Sequence, residues 1–430
     1  MTAKASLRQA LTLTVLVAAL GYFVDIFDLL LFGILRQKSL LALGIPMEET
    51  LTKGILLHNL QVWGLVIGGV VWGILGDKRG RLSVLFGSIA LYSVANIANA
   101  FIAHLPGLSP FQWYAVWRFI AGFGLAGELG AAITLVGETL PREARGYGTG
   151  IVAGVGVSGA VVANFVGKHL AWNHAYLVGG LLGLVLLCLR IGVAESGMFH
   201  QAQEQTVSRG DFFSLFTSRD RFLRALRCTL IAVPLWFSVG ILMFYAPEFG
   251  KALGYSGPVA AGDAIAWCYA GLVFGDVGSG FISQWLASRK RVLLICLLGT
   301  LAGILTMLNL RGLSPAAFYA FCFAFGIFLG YWAVFVTVTS EQFGTNLRAT
   351  VTTSVPNFVR WSVSPMSLAF LWLAKDQDVH LLGFHFVGRN LGVLPAALLV
   401  GLTVMAAAFW ALTGLTETHG RDLDFMEQVD

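Results

Sequence analysis

The chain has 430 residues, of which 57% are hydrophobic and only 12% charged, with a formal net charge of +5. Soluble domains carry about 25% charged residues, so this composition excludes a soluble globular protein and describes one that lives mainly in lipid. The positive balance then reports orientation rather than nucleic-acid binding. The five cysteines, none in a CxxC pair, and the lack of an HExxH or Walker sequence argue against a metal centre, an enzyme and an ATP-driven pump.

A hydrocarbon core takes about 20 helical residues. Twelve apolar runs of that size follow in order: 12–35, 54–76, 82–103, 111–136, 147–167, 175–194, 225–247, 263–286, 291–310, 316–338, 350–373 and 391–415. The first stands behind Lys4 and Arg8 but shows no small-residue cleavage site before Arg36, so it is a retained helix. A long outer loop, 36–53, follows it. The longest polar interruption, 195–224, divides the chain into an N-terminal unit (1–194) and a C-terminal unit (225–415), with a tail at 416–430. Eighteen of the 28 Lys and Arg fall on the side of the N-terminus and eight on the other, which predicts cytoplasmic termini. No Asn-x-Ser/Thr sequon occurs, in keeping with a bacterial inner membrane. The expected fold is an all-α membrane protein of twelve transmembrane helices in two pseudo-symmetric six-helix bundles.

Ionisable residues inside lipid are costly and default to function. In span one, Asp25 and Asp28 are three residues apart and share a helix face. Two carboxylates at close range resist double ionisation, which suits a proton acceptor. Span four carries Arg118 at the depth of Asp28, so an Asp28–Arg118 pair is expected, with Glu128 about 15 Å deeper as a proton relay or a packing acid. Span eight carries Asp276, and span eleven carries Arg360 with Asn357 one turn below. A guanidinium fork suits a carboxylate, so Arg360 is expected to hold an anion or else to pair with Asp276. Softer cavity candidates are Gln61, Asn164, Trp236, Tyr331 and Trp332. At the inner surface, Glu138 and Arg145 repeat the spacing of Glu341 and Arg348, each pair following the fourth span of its half. Gly73, Asp77, Gly80 and Arg81 stand between spans two and three. We read these eight as a cytoplasmic gate whose ion pairs form in one state and break in the other.

Together these segments resemble the major facilitator superfamily. The stretch Gly73-Ile-Leu-Gly-Asp77-Lys-Arg-Gly80-Arg81 is similar to its loop 2–3 signature, and Arg118-Phe-Ile-Ala-Gly122-Phe-Gly124 to its RxxxGxG element. Gln284 stands where the second half would repeat the acid of Asp77. Glu195-Ser and Glu417-Thr-His-Gly-Arg421, after spans six and twelve, resemble the charge relay of the sugar-porter-like branches. Asp25-Ile-Phe-Asp28 resembles the DGxD of organic-acid symporters, with Ile26 in place of Gly. The resemblance implies proton coupling through Asp28 and Arg118. Span seven lacks the paired glutamines of hexose carriers, which argues against a neutral sugar. The expected function is proton-coupled symport of a small organic anion (a monocarboxylate, aromatic acid or sugar acid) by alternating access, as a monomer in the lipid bilayer, with protons as the coupling ion and no cofactor or nucleic acid. The alternatives are a proton-coupled exporter of organic cations and a membrane sensor that binds without transport.

Overall fold

In lipid, backbone amides and carbonyls find no water, so an apolar run must close its hydrogen bonds within a helix. The computed structural model describes residues 12–46, 49–141, 144–191, 210–374, 379–381, 384–386 and 389–427. Span one is Leu13–Ala42, span two Thr50–Arg79 and span three Arg81–Ala100. Span four is Pro110–Leu125 followed by Glu128–Thr139, span five Arg145–Val157 followed by Gly159–His169, and span six Trp172–Leu189. Span seven is Arg219–Phe237 with a wider π-helical turn at Ser238–Met243; span eight is Ala261–Trp285 and span nine Arg289–Asn309. Span ten is Pro315–Leu329 then Trp332–Gln342, span eleven Arg348–Trp361 then Val363–Ala374, and span twelve Val393–Thr413.

The two halves repeat each other down to their irregularities. Span four breaks at Ala126–Gly127 and span ten at Gly330–Tyr331; span five breaks at Ser158 and span eleven at Ser362. Helix contacts repeat too. A side chain at Gly122 would collide with the carbonyl of Gln61, and one at Gly326 with the carbonyl of Cys268. Glycine therefore lets span two lie directly on span four, and span eight on span ten. Without a hydrophobic drive between helices in lipid, such close backbone packing is what holds them together.

Among the described residues, eleven helices are long and apolar enough to cross a membrane. Span eleven misses that measure because its inner half, from Arg348 to Arg360, is rich in Thr, Ser and Asn. That half is buried against protein instead of lipid. The expected outer loop at 36–53 is largely helical: burial of Leu40 carries span one past Arg36, and Gly44, at φ 79°, follows its end. One small departure from an all-helical chain is an antiparallel hairpin, Val379–Leu381 with Phe384–Phe386, between spans eleven and twelve.

Candidate functional site

The halves meet most tightly at the end that carries loop 77–81, called here the inner end. Asp77 sits at the foot of span two. Its two carboxylate oxygens accept from the backbone N–H groups of Ala349 (3.0 Å) and Thr350 (2.8 Å). These are among the first orphan donors of span eleven, so an acid of one half caps a helix of the other. Gly73 makes the approach possible, since a Cβ there would lie 2.7 Å from Thr350 Cα. Gly80 takes φ 99°, a backbone conformation that favours glycine, between spans two and three. Beside this cap, Arg348 Nη1 donates to Glu138 Oε1 at 2.9 Å, with both side chains fully buried. Arg348 also donates to Ser340 O, Thr345 Oγ1 and Leu423 O. One turn further in, Thr134 and Thr352 share a hydroxyl contact of 2.6 Å.

The acid of the first cassette, Glu138, is therefore joined across the halves to the arginine of the second, Arg348. Glu341, the counterpart of Glu138, is bound by Arg289 at 3.3 Å and by the Thr418 hydroxyl at 2.7 Å. The side chains of Arg81 and Arg145 lie outside the described residues, as does Glu195. Residues 417–427 strap the inner end of the C-terminal half. Glu417 accepts from Ser288 Oγ and from the N–H groups of Arg289, Lys290 and His419. Partial burial alone would raise its pKa, but these hydrogen bonds win and hold it at about 2. Glu427 accepts from Arg224 at 2.8 Å, and Thr345 N donates to Phe425 O.

Above the gate lies a second contact between halves. Arg360 Nη2 donates to Asp25 Oδ2 at 3.3 Å, and Nη1 to Asn357 Oδ1 at 3.2 Å. Asn357 in turn donates to Ala126 O, at the break in span four. The Arg360 guanidinium lies 5.9 Å from the centroid of the Trp332 ring, and Trp332 meets Trp236 edge-on at 6.3 Å. Arg360 Nε, Asp25 Oδ1 and both indole N–H groups have no partner. Arg360 is thus paired with Asp25. It is not paired with Asp276, whose Oδ1 instead accepts from Ala333 N at 3.1 Å and caps the inner segment of span ten. The hydroxyl of Tyr331 is likewise occupied, donating to Ile231 O within its own half.

The third group lies within the N-terminal half. The expected direct Asp28–Arg118 bond is not made: both Asp28 oxygens and all three Arg118 nitrogens lack hydrogen-bond partners. Arg118 rests over the rings of Phe32 (4.7 Å) and Tyr176 (5.8 Å), so aromatic faces hold the cation where a carboxylate was expected. Gln61 is buried nearby in span two with its amide unpaired, whereas Asn164 is half-buried in span five, apart from these contacts. Glu128 is bound by both Arg190 Nη atoms, and Arg190 Nη1 also donates to Leu85 O at 3.1 Å. Arg190 stands at the inner end of span six, within the sixth apolar run. Its place inside an apolar run was the signal that it needed a buried acid. The Glu417-Thr-His-Gly-Arg421 element marked the start of the strap, but its partners and those of Arg289 are distant in sequence and gave no comparable sign.

At the outer end, Lys168 pairs with Asp263 at 2.8 Å in an exposed position, and the Arg36 guanidinium lies 5.8 Å from the centroid of the Phe244 ring. Buried bonds thus lock the inner end, while a solvated ion pair and a cation–ring contact join the outer one.

Comparison with known proteins agrees with this architecture. Residues 10–367 match the family described as Major Facilitator Superfamily. The 3-(3-hydroxy-phenyl)propionate transporter of Escherichia coli is 27% identical over 81% of this chain and 83% of its own length. The niacin transporter NiaP of Acinetobacter baylyi is 36% identical, over 31% of this chain and 30% of its own. Among solved structures, the proton:xylose symporter XylE overlays with a TM-score of 0.74 at 16% identity, covering 98% of both chains, a likeness of fold alone. With twelve spans in two repeated halves, an inner end latched across them and a family match over most of its length, the chain belongs to the major facilitator superfamily and is a transporter, not an enzyme.

Proposed function

We propose that this transporter carries a small organic anion, preferably a ring-bearing monocarboxylate, together with a proton by alternating access between the two faces of a bacterial inner membrane. The observation that carries the reading is the buried Asp25–Arg360 bond between the halves. A proton arriving on Asp25 neutralises it and releases Arg360. The freed guanidinium then takes the carboxylate of the cargo in place of Asp25. The charge count at the site is the same before and after, so anion binding requires the proton and coupling follows from charge balance. Trp332 and Trp236, beside Arg360, offer aromatic faces for a planar ring. Relatives named for hydroxyphenylpropionate, niacin and gentisate support an organic acid as cargo. Export of organic cations fits less well, because Asp25 and Glu128 already hold arginines.

Uptake into vesicles holding the purified protein tests this. An inward proton gradient should accelerate accumulation of nicotinate, gentisate or 3-(3-hydroxyphenyl)propionate, and Arg360→Ala should abolish it. Accumulation of these acids by Arg360→Ala at the wild-type rate would refute the assignment.

A further inference from the structure

The N-terminal half holds more unpaired polar atoms than its ion pairs account for. Along span three, Ser88, Tyr92, Ser93 and Asn96 are all buried. Ser88 Oγ, the Tyr92 hydroxyl, Ser93 Oγ and Asn96 Nδ2 have no hydrogen-bond partner. Spacings of four put 88, 92 and 96 on one helix face, with 93 beside them. At the outer end of this row stands Asp28, with both carboxylate oxygens unpartnered and Asn96 next to it. At the inner end stands Glu128 in its bond with Arg190. Tyr92 is within electrostatic reach of both acids.

Neighbouring helices make room for the row. A Cβ at Gly179 would collide with Asp28 Oδ1, and one at Gly183, one turn on, with Ser93 Oγ. Gly21, seven residues before Asp28, touches Glu128, so the row spans roughly 10 Å. Buried hydroxyls and amides that no protein group satisfies take water as their partner. The charged and titratable groups facing the row are Asp25 on the helix of Asp28, Arg118 of span four, and Tyr176 and Arg190 of span six.

We infer that this hydrated row along span three is the proton's own route from Asp28 to the Glu128–Arg190 pair, separate from the path of the anion. The inference rests on the symport reading above. Each hop moves one proton from an O–H donor to an oxygen lone pair, through water and the Ser and Tyr hydroxyls. The last hop protonates the Glu128 carboxylate and loosens Arg190; nothing is oxidised or reduced. While Arg190 holds Glu128, the route is shut at its inner end, which keeps it from being a leak.

The test compares two rates in vesicles carrying the full chain, with benzoate, nicotinate and 3-(3-hydroxyphenyl)propionate as probes. One is uptake driven by an inward proton gradient; the other is exchange at equal pH, which needs no net proton movement. Asn96→Leu and Ser93→Ala should lower gradient-driven uptake at least tenfold while exchange stays within twofold, and Asn96→Ser should recover most of the loss. The inference is overturned if both rates remain at the wild-type level, or if both fall together. A wild-type protein that exchanges these acids but ignores the gradient refutes the symport reading itself, and one that moves none of them refutes the organic-acid reading.

Discussion

Replacing Glu138 by Gln removes one charge from the inner latch and little else. Arg348 is fully buried, and it keeps its bonds to Ser340 O, Thr345 Oγ1 and Leu423 O while losing its only carboxylate among the partners described above. Severing a buried pair outright costs about 3–5 kcal/mol, but three neutral acceptors remain. The loss is nearer the value of one charge-assisted hydrogen bond, about 1.5–3 kcal/mol. Because the bond exists only when the inner ends meet, the whole penalty falls on the inner-closed state. At 1.4 kcal/mol per tenfold, the ratio of inner-open to inner-closed molecules should rise about 10- to 150-fold. Spin labels at the exposed positions Arg79 and Arg291, with the exposed Cys188 replaced by Ser, read this as a shift of the distance distribution to longer values. Glu138→Gln/Arg348→Gln should recover part of the closed population, since it also removes the buried charge that Glu138→Gln leaves behind. An unchanged distribution in Glu138→Gln would refute the latch.

Asp25→Asn mimics the protonated acid, so it should bind the cargo anion with an affinity that no longer depends on pH and should exchange it without responding to a proton gradient; equilibrium binding from pH 5 to 8 checks this. Asp77→Asn keeps one oxygen acceptor and sets its NH2 group against the other span-eleven N–H, so it should favour the inner-open form by about 0.5–2 kcal/mol, read with the same spin labels. Gly122→Leu and Gly326→Leu put side chains into facing backbone and should prevent accumulation of folded protein, measured by size-exclusion chromatography in detergent. Glu417 has a folded pKa of about 2, below its ordinary 4.5. Its contribution is therefore complete above the ordinary value and lost as pH falls toward 2. With allowance for its exposure this is worth about 0.5–1 kcal/mol. Glu417→Gln should lower thermal stability at pH 7 and converge on wild type as the pH is lowered below 4.

Much of this molecule follows from one-dimensional pattern. The length of each apolar run settles that it crosses a membrane, because hydrocarbon tolerates no unpaired backbone. The recurrence of Glu138 and Arg145 at Glu341 and Arg348 reveals the duplication. The cost of burying charge points to Asp25, Asp28, Arg118 and Arg360 as the residues that matter. Partner choice is another matter. Arg360 bonds Asp25 instead of Asp276, Glu128 bonds Arg190, Glu138 bonds Arg348, and Asp28 stands apart from Arg118. Matching depth along helices could not distinguish these, since depth constrains one coordinate while pairing depends on each helix's rotation and on which glycine faces let two backbones meet. Those are properties of the packed bundle, where a shift of a few ångströms decides whether a buried charge finds an acid, an aromatic face or only water.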